Sequence, residues 1–452
     1  MNQACKATRK MSANSVMEQL QVRYLPVARL KADPQNPRVH SDKQIRQIAD
    51  SIRAFGFNVP VLIDSKCQVL AGHGRLQACK LLGIGMVPTI ALENLSETQV
   101  RAFMIADNKL TESAAWDDRL LGEQFRALSE VDLDFSLEAT GFEMGEIDLM
   151  IEGLSPAPEG EADPADAVVE PGVQVTNFGD LWVLGRHRLL CGDALKEDSY
   201  SRLMDGRRAT AIFTDPPYND PIDGYVAGFG KVHHREFAMA SGEMSEDEFI
   251  DFLFIIFQNL VHNSETGSLH FICLDWRHLP EMLAASRRAY TEFKNLCIWI
   301  KESGGQGSLY RSRHELVFVF KNGTAKHRNN IQLGRYGRYR TNVWEYPRVR
   351  FGDGDEQLSG LHPTIKPAAM VADAILDATS RNDIVLDPFL GSGTTVIAAQ
   401  RTGRICYGLE LDPVYVDTTI RRWQTFTGHS AVHEASGRSF NEREKEVGHE
   451  EK

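Results

Sequence analysis

Residues 384–401 read Ile-Val-Leu-Asp-Pro-Phe-Leu-Gly-Ser-Gly-Thr-Thr-Val-Ile-Ala-Ala-Gln-Arg, and no other stretch restricts the fold so tightly. The apolar run ending in Asp387 has the character of a buried parallel strand. Gly391 and Gly393 make the turn tight and let backbone approach a ligand closely, and the helix that opens at Val396 offers unpaired N–H groups at its start. A second strand, Ile405–Leu409, ends in Glu410, 23 residues after Asp387. An acid at that spacing can accept both hydroxyls of a ribose, so the pattern suits a nucleoside cofactor on a doubly wound α/β sheet. Dinucleotide enzymes favour a third glycine, and Val396 stands there instead. Alone, Gly-Ser-Gly is equally a packing turn.

Ala211-Ile-Phe-Thr214 reads as another buried strand and runs into Asp215-Pro216-Pro217-Tyr218. Open α/β sheets bind ligands beyond such carboxyl ends. An exocyclic amine is a poor nucleophile, because its lone pair is delocalised into the ring. A site that alkylates it must accept its hydrogens and hold its nitrogen in line. Asp215 and the Pro216 carbonyl supply acceptors, the two prolines remove backbone freedom, and Tyr218 offers a flat face for an extruded base. Read alone, the tetrad is also an ordinary turn after a strand; paired with the glycine turn and Glu410 it becomes specific.

The 452 residues exceed one ordinary core, so two or three domains are expected. With 42% hydrophobic and 25% charged residues the chain has the balance of a folded globular protein. Its longest apolar run, Phe252–Phe257, is far below the ~20 residues of a membrane span, and residues 1–20 hold no apolar signal segment. A cytoplasmic protein is expected. Cys5, Cys67, Cys79, Cys191, Cys273, Cys297 and Cys406 are scattered, which implies neither zinc nor disulfides. The net charge of −12 speaks against a phosphate-binding surface as a whole, yet Lys321–Arg350 is locally basic. There Arg335, Arg338 and Arg340 alternate with Tyr336, Tyr339, Trp344 and Tyr346, and this stretch is expected to face DNA.

Asp-Pro-Phe-Leu-Gly-Ser-Gly-Thr-Thr and Asp-Pro-Pro-Tyr together resemble the beta group of DNA amino-methyltransferases, in which the catalytic motif precedes the cofactor motif. Cys191-Gly-Asp193-Ala-Leu195 and His362-Pro-Thr364-Ile365-Lys366-Pro367 fit the same family, over about 173–428. The resemblance implies a seven-stranded, doubly wound, mostly parallel Rossmann-like sheet and S-adenosyl-L-methionine as cofactor. It places Asp193 near the cofactor adenine, and Asp387, Phe389, Gly391, Gly393, Thr394 and Glu410 around the cofactor. Thr364 and Lys366 would hold its methionine end. Asp215, Pro216, Pro217 and Tyr218 would form the catalytic set, with no metal. The family usually has Gln where Ile365 stands. Asp at 215, where Ser is common in cytosine enzymes, tilts the target toward adenine N6 in double-stranded DNA.

Asn58-Val-Pro-Val-Leu-Ile63 and Ala71-Gly72-His73-Gly74-Arg75 resemble the ParB N-terminal domain. The resemblance implies an α/β module in which Gly72 and Arg75 meet a phosphate, with a nucleotide as the ligand. The family pattern has two arginines and this chain one. The expected layout is a ParB-like domain at 22–151, an acidic Pro-rich linker at 153–172, a methyltransferase domain at 173–428 and a mobile tail at 429–452. The expected function is site-specific adenine methylation of DNA, with a restriction-modification setting as its context. Alternatives are an N4-cytosine enzyme of the same fold, or a ParB-like DNA- or nucleotide-binding protein whose second domain is inactive.

Overall fold

The computed structural model describes residues 20–450 except 35, 113–114, 155–162, 168, 170–171, 220–241, 303, 305–308, 336–337 and 350–364. The chain divides into two compact units, Met1–Glu143 and Met144–Lys452.

The first unit contains β1 (Val22–Pro26), α1 (Asp42–Phe55), β2 (Val61–Ile63), β3 (Val69–Ala71), α2 (His73–Leu82), β4 (Met86–Ala91), α3 (Glu97–Glu112) and α4 (Asp118–Ser129). Its four strands lie in the order β1-β4-β2-β3, with only β2 and β4 parallel. Val61, Ile63, Val69, Leu76, Cys79 and Val87 form its core. Helix α2 begins earlier than its apolar spacing suggests, because Gly72 adopts φ +102 and turns the chain at His73. The His73 ring accepts the Asp33 N–H at 3.3 Å, a structural bond, and burial lowers its pKa.

The second unit runs α5 (Met144–Glu152), β5 (Leu181–Leu184), β6 (His187–Cys191), α6 (Glu197–Met204), β7 (Ala209–Thr214), α7 (Glu246–His262), β8 (Ser264–Leu274), α8 (Leu279–Ala289), β9 (Glu292–Ile300) and β10 (His314–Lys321). It continues with β11 (Val343–Glu345), α9 (Ala368–Ala378), β12 (Ile384–Asp387), α10 (Thr394–Thr402), β13 (Ile405–Glu410), α11 (Pro413–Thr427), β14 (Val432–His433) and α12 (Phe440–Glu450). The ten strands form one sheet in the order β11-β9-β10-β8-β7-β12-β13-β6-β5-β14, three more than the resemblance implies. The central five, β8-β7-β12-β13-β6, are all parallel, and antiparallel pairs flank them.

Alternation along the central strands separates two cores. Ile212, Leu386 and Leu409 pack under α6, α7 and α8, whereas Ala211, Phe213 and Val385 pack against α9 and α10. Helices on both faces make the sheet doubly wound, and all its central carboxyl ends open along one edge.

Three expected boundaries need correction. Helix α5 belongs to the second unit: Asp148, 1% exposed, takes the Arg404 guanidinium in two bonds of 2.9 and 2.7 Å. In the expected linker, Pro164–Asp166 forms a short 3-10 turn with Ala165 buried, and Asp166 accepts the Ala368 N–H at 2.7 Å. The expected mobile tail instead adds β14 to the sheet edge, and Phe440 is fully buried 5.3 Å from the Trp182 ring. One aromatic anchor outweighs the polar composition around it.

Candidate active site

Strand β7 delivers Asp215 to the open edge. The Tyr218 hydroxyl donates to Asp215 Oδ1 at 2.6 Å, and the Lys366 ammonium donates to Asp215 Oδ2. Lys366 is 5% exposed and also reaches the Tyr218 oxygen at 3.3 Å. Burial pushes the Tyr218 phenol well above its usual range, and the carboxylates of Asp215 and Glu315 push it further. Pro216 is buried. Asn219, at φ +57, bonds Met244 through both ends of its amide and so draws the two flanks of residues 220–241 together.

Glu315 at the start of β10 completes the cluster. Its Oε2 lies 3.1 Å from Lys366 Nζ and 3.5 Å from the Tyr218 oxygen, while Oε1 takes the ammonium of Lys301. Burial alone would raise the Glu315 pKa, but the two lysines outweigh it and hold the group below its ordinary range. Burial would likewise lower the Lys366 pKa, and Asp215 and Glu315 reverse that. Sequence reading missed both Glu315 and Lys301. Charged residues at the ends of apolar strands normally mark nothing more than the strand boundary. Lys366, expected at the methionine end of the cofactor, sits on the Asp215 carboxylate.

The glycine turn follows β12, the immediate neighbour of β7. A side chain at Gly391, φ +54, would meet open space, whereas one at Gly393 would strike Thr419 at 2.6 Å. Gly391 therefore leaves backbone accessible, and Gly393 permits the close approach of α11. Glu410 Oε2 accepts the Gly391 N–H at 2.8 Å and Oε1 the Asp412 N–H at 2.9 Å. Each oxygen retains a lone pair. Burial pushes Glu410 up to about 7. Asp193 follows β6 and accepts the Leu195 N–H at 2.8 Å, and Phe389 packs 6.4 Å from the Phe252 ring.

Asp387 and Thr394 are turned inward, against expectation. Asp387 is 4% exposed and takes Thr214 at 2.8 Å, the Phe389 N–H at 3.1 Å and Thr395 at 2.6 Å. It locks the turn to the neighbouring strand. Burial raises it to about 6, while those three donors pull it back. The Thr394 hydroxyl accepts from buried Arg422 at 3.2 Å. Thr364 lies outside the described residues.

The arginines expected to face DNA also need correction. Arg338, 7% exposed, donates to Asp373 at 3.1 Å and Asp377 at 3.0 Å. Arg340 donates to both of the same carboxylates at 3.1 Å and to the Tyr346 oxygen at 2.6 Å. Asp373 and Asp377 stand one turn apart on α9, so two carboxylates meet two guanidiniums and tie the loop down. Arg335 remains exposed. Arg338→Ala is expected to cost about 2 kcal/mol of stability by removing its charge-assisted hydrogen bonds, with Arg340 left as the partner of both carboxylates. Chemical denaturation measures that loss, and a mobility-shift titration should find DNA affinity unchanged.

Known proteins resemble several parts of the chain. Residues 209–421 match the DNA methylase family, 10–109 the ParB N-terminal domain and 119–177 the ParB-methyltransferase HTH domain. The chain is 28% identical over 287 residues to the DNA adenine methyltransferase YhdJ of Escherichia coli (strain K12), spanning 58% of this chain and 89% of that one. It is 42% identical over 82 residues to the ParB-like nuclease domain-containing protein YnaK of the same organism, spanning 18% of this chain and 94% of that one. Among solved structures, the putative DNA modification methylase TTHA0409 of Thermus thermophilus, complexed with S-adenosyl-L-methionine, aligns at 20% identity and a TM-score of 0.37, covering 56% of this chain and 96% of that one. Residues 209–421 are a DNA methylase domain of the N6/N4 type, and residues 10–109 a ParB N-terminal domain.

Proposed function

We propose that the chain transfers the methyl group of S-adenosyl-L-methionine to the N6 amino group of adenine at a specific site in double-stranded DNA, in the cytoplasm. The observation that carries the reading is the Asp215 carboxylate, backed by Tyr218, at the end of the strand beside the glycine turn. S-Adenosyl-L-methionine supplies a methyl group already activated on a sulfonium. Asp215 and the Pro216 carbonyl accept the hydrogens of the target amine and fix its nitrogen in line, and the Tyr218 ring stacks on the extruded base. Phe389 and the Gly391 backbone would line the cofactor, Asp193 would lie near its adenine, and Glu410 would accept the ribose hydroxyls with its free lone pairs. Asp rather than Ser at 215 favours adenine over cytosine.

In the first unit, Gly72 and Arg75 would hold a phosphate of a nucleotide. The Arg75 guanidinium folds back to 3.1 Å from where a Gly72 side chain would begin, and its Nε is buried without a hydrogen-bond partner among the described residues. Arg335 stays exposed and is proposed for DNA contact.

Transfer of label from the cofactor to unmethylated bacterial DNA, followed by nucleoside analysis, tests the reaction. N6-methyladenine is the expected product. N4-methylcytosine would keep the mechanism and replace the base, and label on protein alone would overturn the reading.

A pH dependence follows from Glu410. Its pKa is raised to about 7 by burial, so below that pH the carboxyl carries a proton and loses acceptor capacity for the ribose. Cofactor affinity measured by calorimetry is expected to be weaker at pH 6 than at pH 8, by up to about tenfold per unit below the pKa. In Glu410→Gln the affinity is lower throughout and this dependence is gone.

A further inference from the structure

Glu315 is 6% exposed, and the transfer chemistry above makes no use of it. It stands between two ammonium groups, Lys301 on one oxygen and Lys366 on the other at 3.1 Å. Lys366 also lies on Asp215 Oδ2, while Tyr218 occupies Oδ1. Both oxygens of Asp215 therefore already have donors, and an incoming amine must share Oδ2 with an ammonium or displace it. Asp215 and Glu315 against Lys366 and Lys301 balance the pocket charge, so moving Lys366 between its carboxylates changes no net charge. The 3.1 Å contact means that such a move is short. Charge separation around side chains as buried as Lys366 and Glu315 would otherwise be expensive.

We propose that Glu315 is a positioning residue for methyl transfer: it is the second anchor onto which Lys366 withdraws when the target amine takes Asp215 Oδ2. Lys301 holds Glu315 in place for that exchange. The proposal rests on the assignment of Asp215 as the acceptor of the amine. With Gln at 315 the ammonium has Asp215 as its one remaining anion in the cluster and stays on it, and the amine must share Oδ2 with a positive charge that weakens its hold there.

The test compares the intact chain with Glu315→Gln and Glu315→Asp on the same DNA. We expect kcat of Glu315→Gln to fall about a hundredfold, the scale of a misplaced reacting group. Its KM for DNA and its cofactor affinity by calorimetry should stay close to those of the intact chain, while its thermal midpoint falls because Lys301 and Lys366 lose a buried anion. Glu315→Asp keeps an anion within reach of Lys366 and should recover a large part of kcat. Should the Gln variant not fold, Glu315→Asp decides by itself, with a reduced kcat at unchanged cofactor affinity as the expected result. Wild-type kcat in Glu315→Gln overturns the proposal. So does a parallel loss of kcat and cofactor affinity with no recovery of kcat by Asp, which is the pattern of a purely structural ion pair. An intact chain that methylates no DNA would instead overturn the assignment of the site.

Discussion

Asp215→Ala is expected to lower the single-turnover rate of methyl transfer about a hundred- to a thousandfold, the cost of deleting one preorganised polar group that acts on the reacting atom. The variant removes the acceptor that holds the target amine in line but leaves the glycine turn and Glu410 untouched. Cofactor affinity by calorimetry should therefore change little. Folding should also survive, because Lys366 keeps Glu315 as its partner at 3.1 Å. A variant that turns over within about tenfold of the intact chain would show that the amine finds its acceptor elsewhere. Rapid-quench measurement with labelled cofactor separates this chemical step from product release.

The second large effect is on stability. Arg404 is 1% exposed, and besides its double bond to Asp148 it donates to Thr379 Oγ1 at 3.0 Å, to the Thr379 carbonyl at 2.8 Å and to the Thr402 carbonyl at 2.7 Å. Arg381 adds a contact of 3.0 Å to the same carboxylate. Asp148→Ala strands two buried guanidiniums, and removing one partner of a buried pair costs about 3–5 kcal/mol. For a unit of this size that corresponds to a fall in thermal midpoint on the order of 10 °C, readable by scanning calorimetry. Asp148→Asn, which keeps the shape but not the charge, should lose nearly as much. An unchanged midpoint would mean that α5 contributes nothing to the second unit, contrary to the burial of Asp148.

Much of the site was legible from local patterns. Asp215, Gly391 and Glu410 each end an apolar run, and a parallel sheet gathers the carboxyl ends of its strands along one edge whatever the loops between them do. The function of a residue inside such a turn was less legible. Gly391 and Gly393 look alike in sequence, but one faces open space and the other faces Thr419, a difference set by how closely α11 approaches. Asp387 has the placing of a ligand contact, yet the hydroxyls of Thr214 and Thr395 use both its oxygens.

The arginine-rich segment shows the opposite error. A run of cations with few local anions reads as a solvated, phosphate-seeking face. Its partners, Asp373 and Asp377, lie more than thirty residues away on a helix whose apolar character hides them. Likewise, nothing local distinguishes Phe440 from an aromatic in a mobile tail until β14 pairs with β5 and brings it against Trp182.

By itself the sequence determined the class of fold, the strand ends that form the candidate site and the order of the motifs, because these depend on periodicity and turn geometry within about twenty residues. Only the tertiary structure decided which charges meet. Glu315 faces Lys301 because β9 and β10 pair antiparallel with His314 opposite Ile300, and it faces Lys366 and Tyr218 because β10 lies one strand beyond β8 from β7. A charge is assigned its role by the partners that folding brings within a few ångströms, and those partners are set by register and packing across the whole sheet.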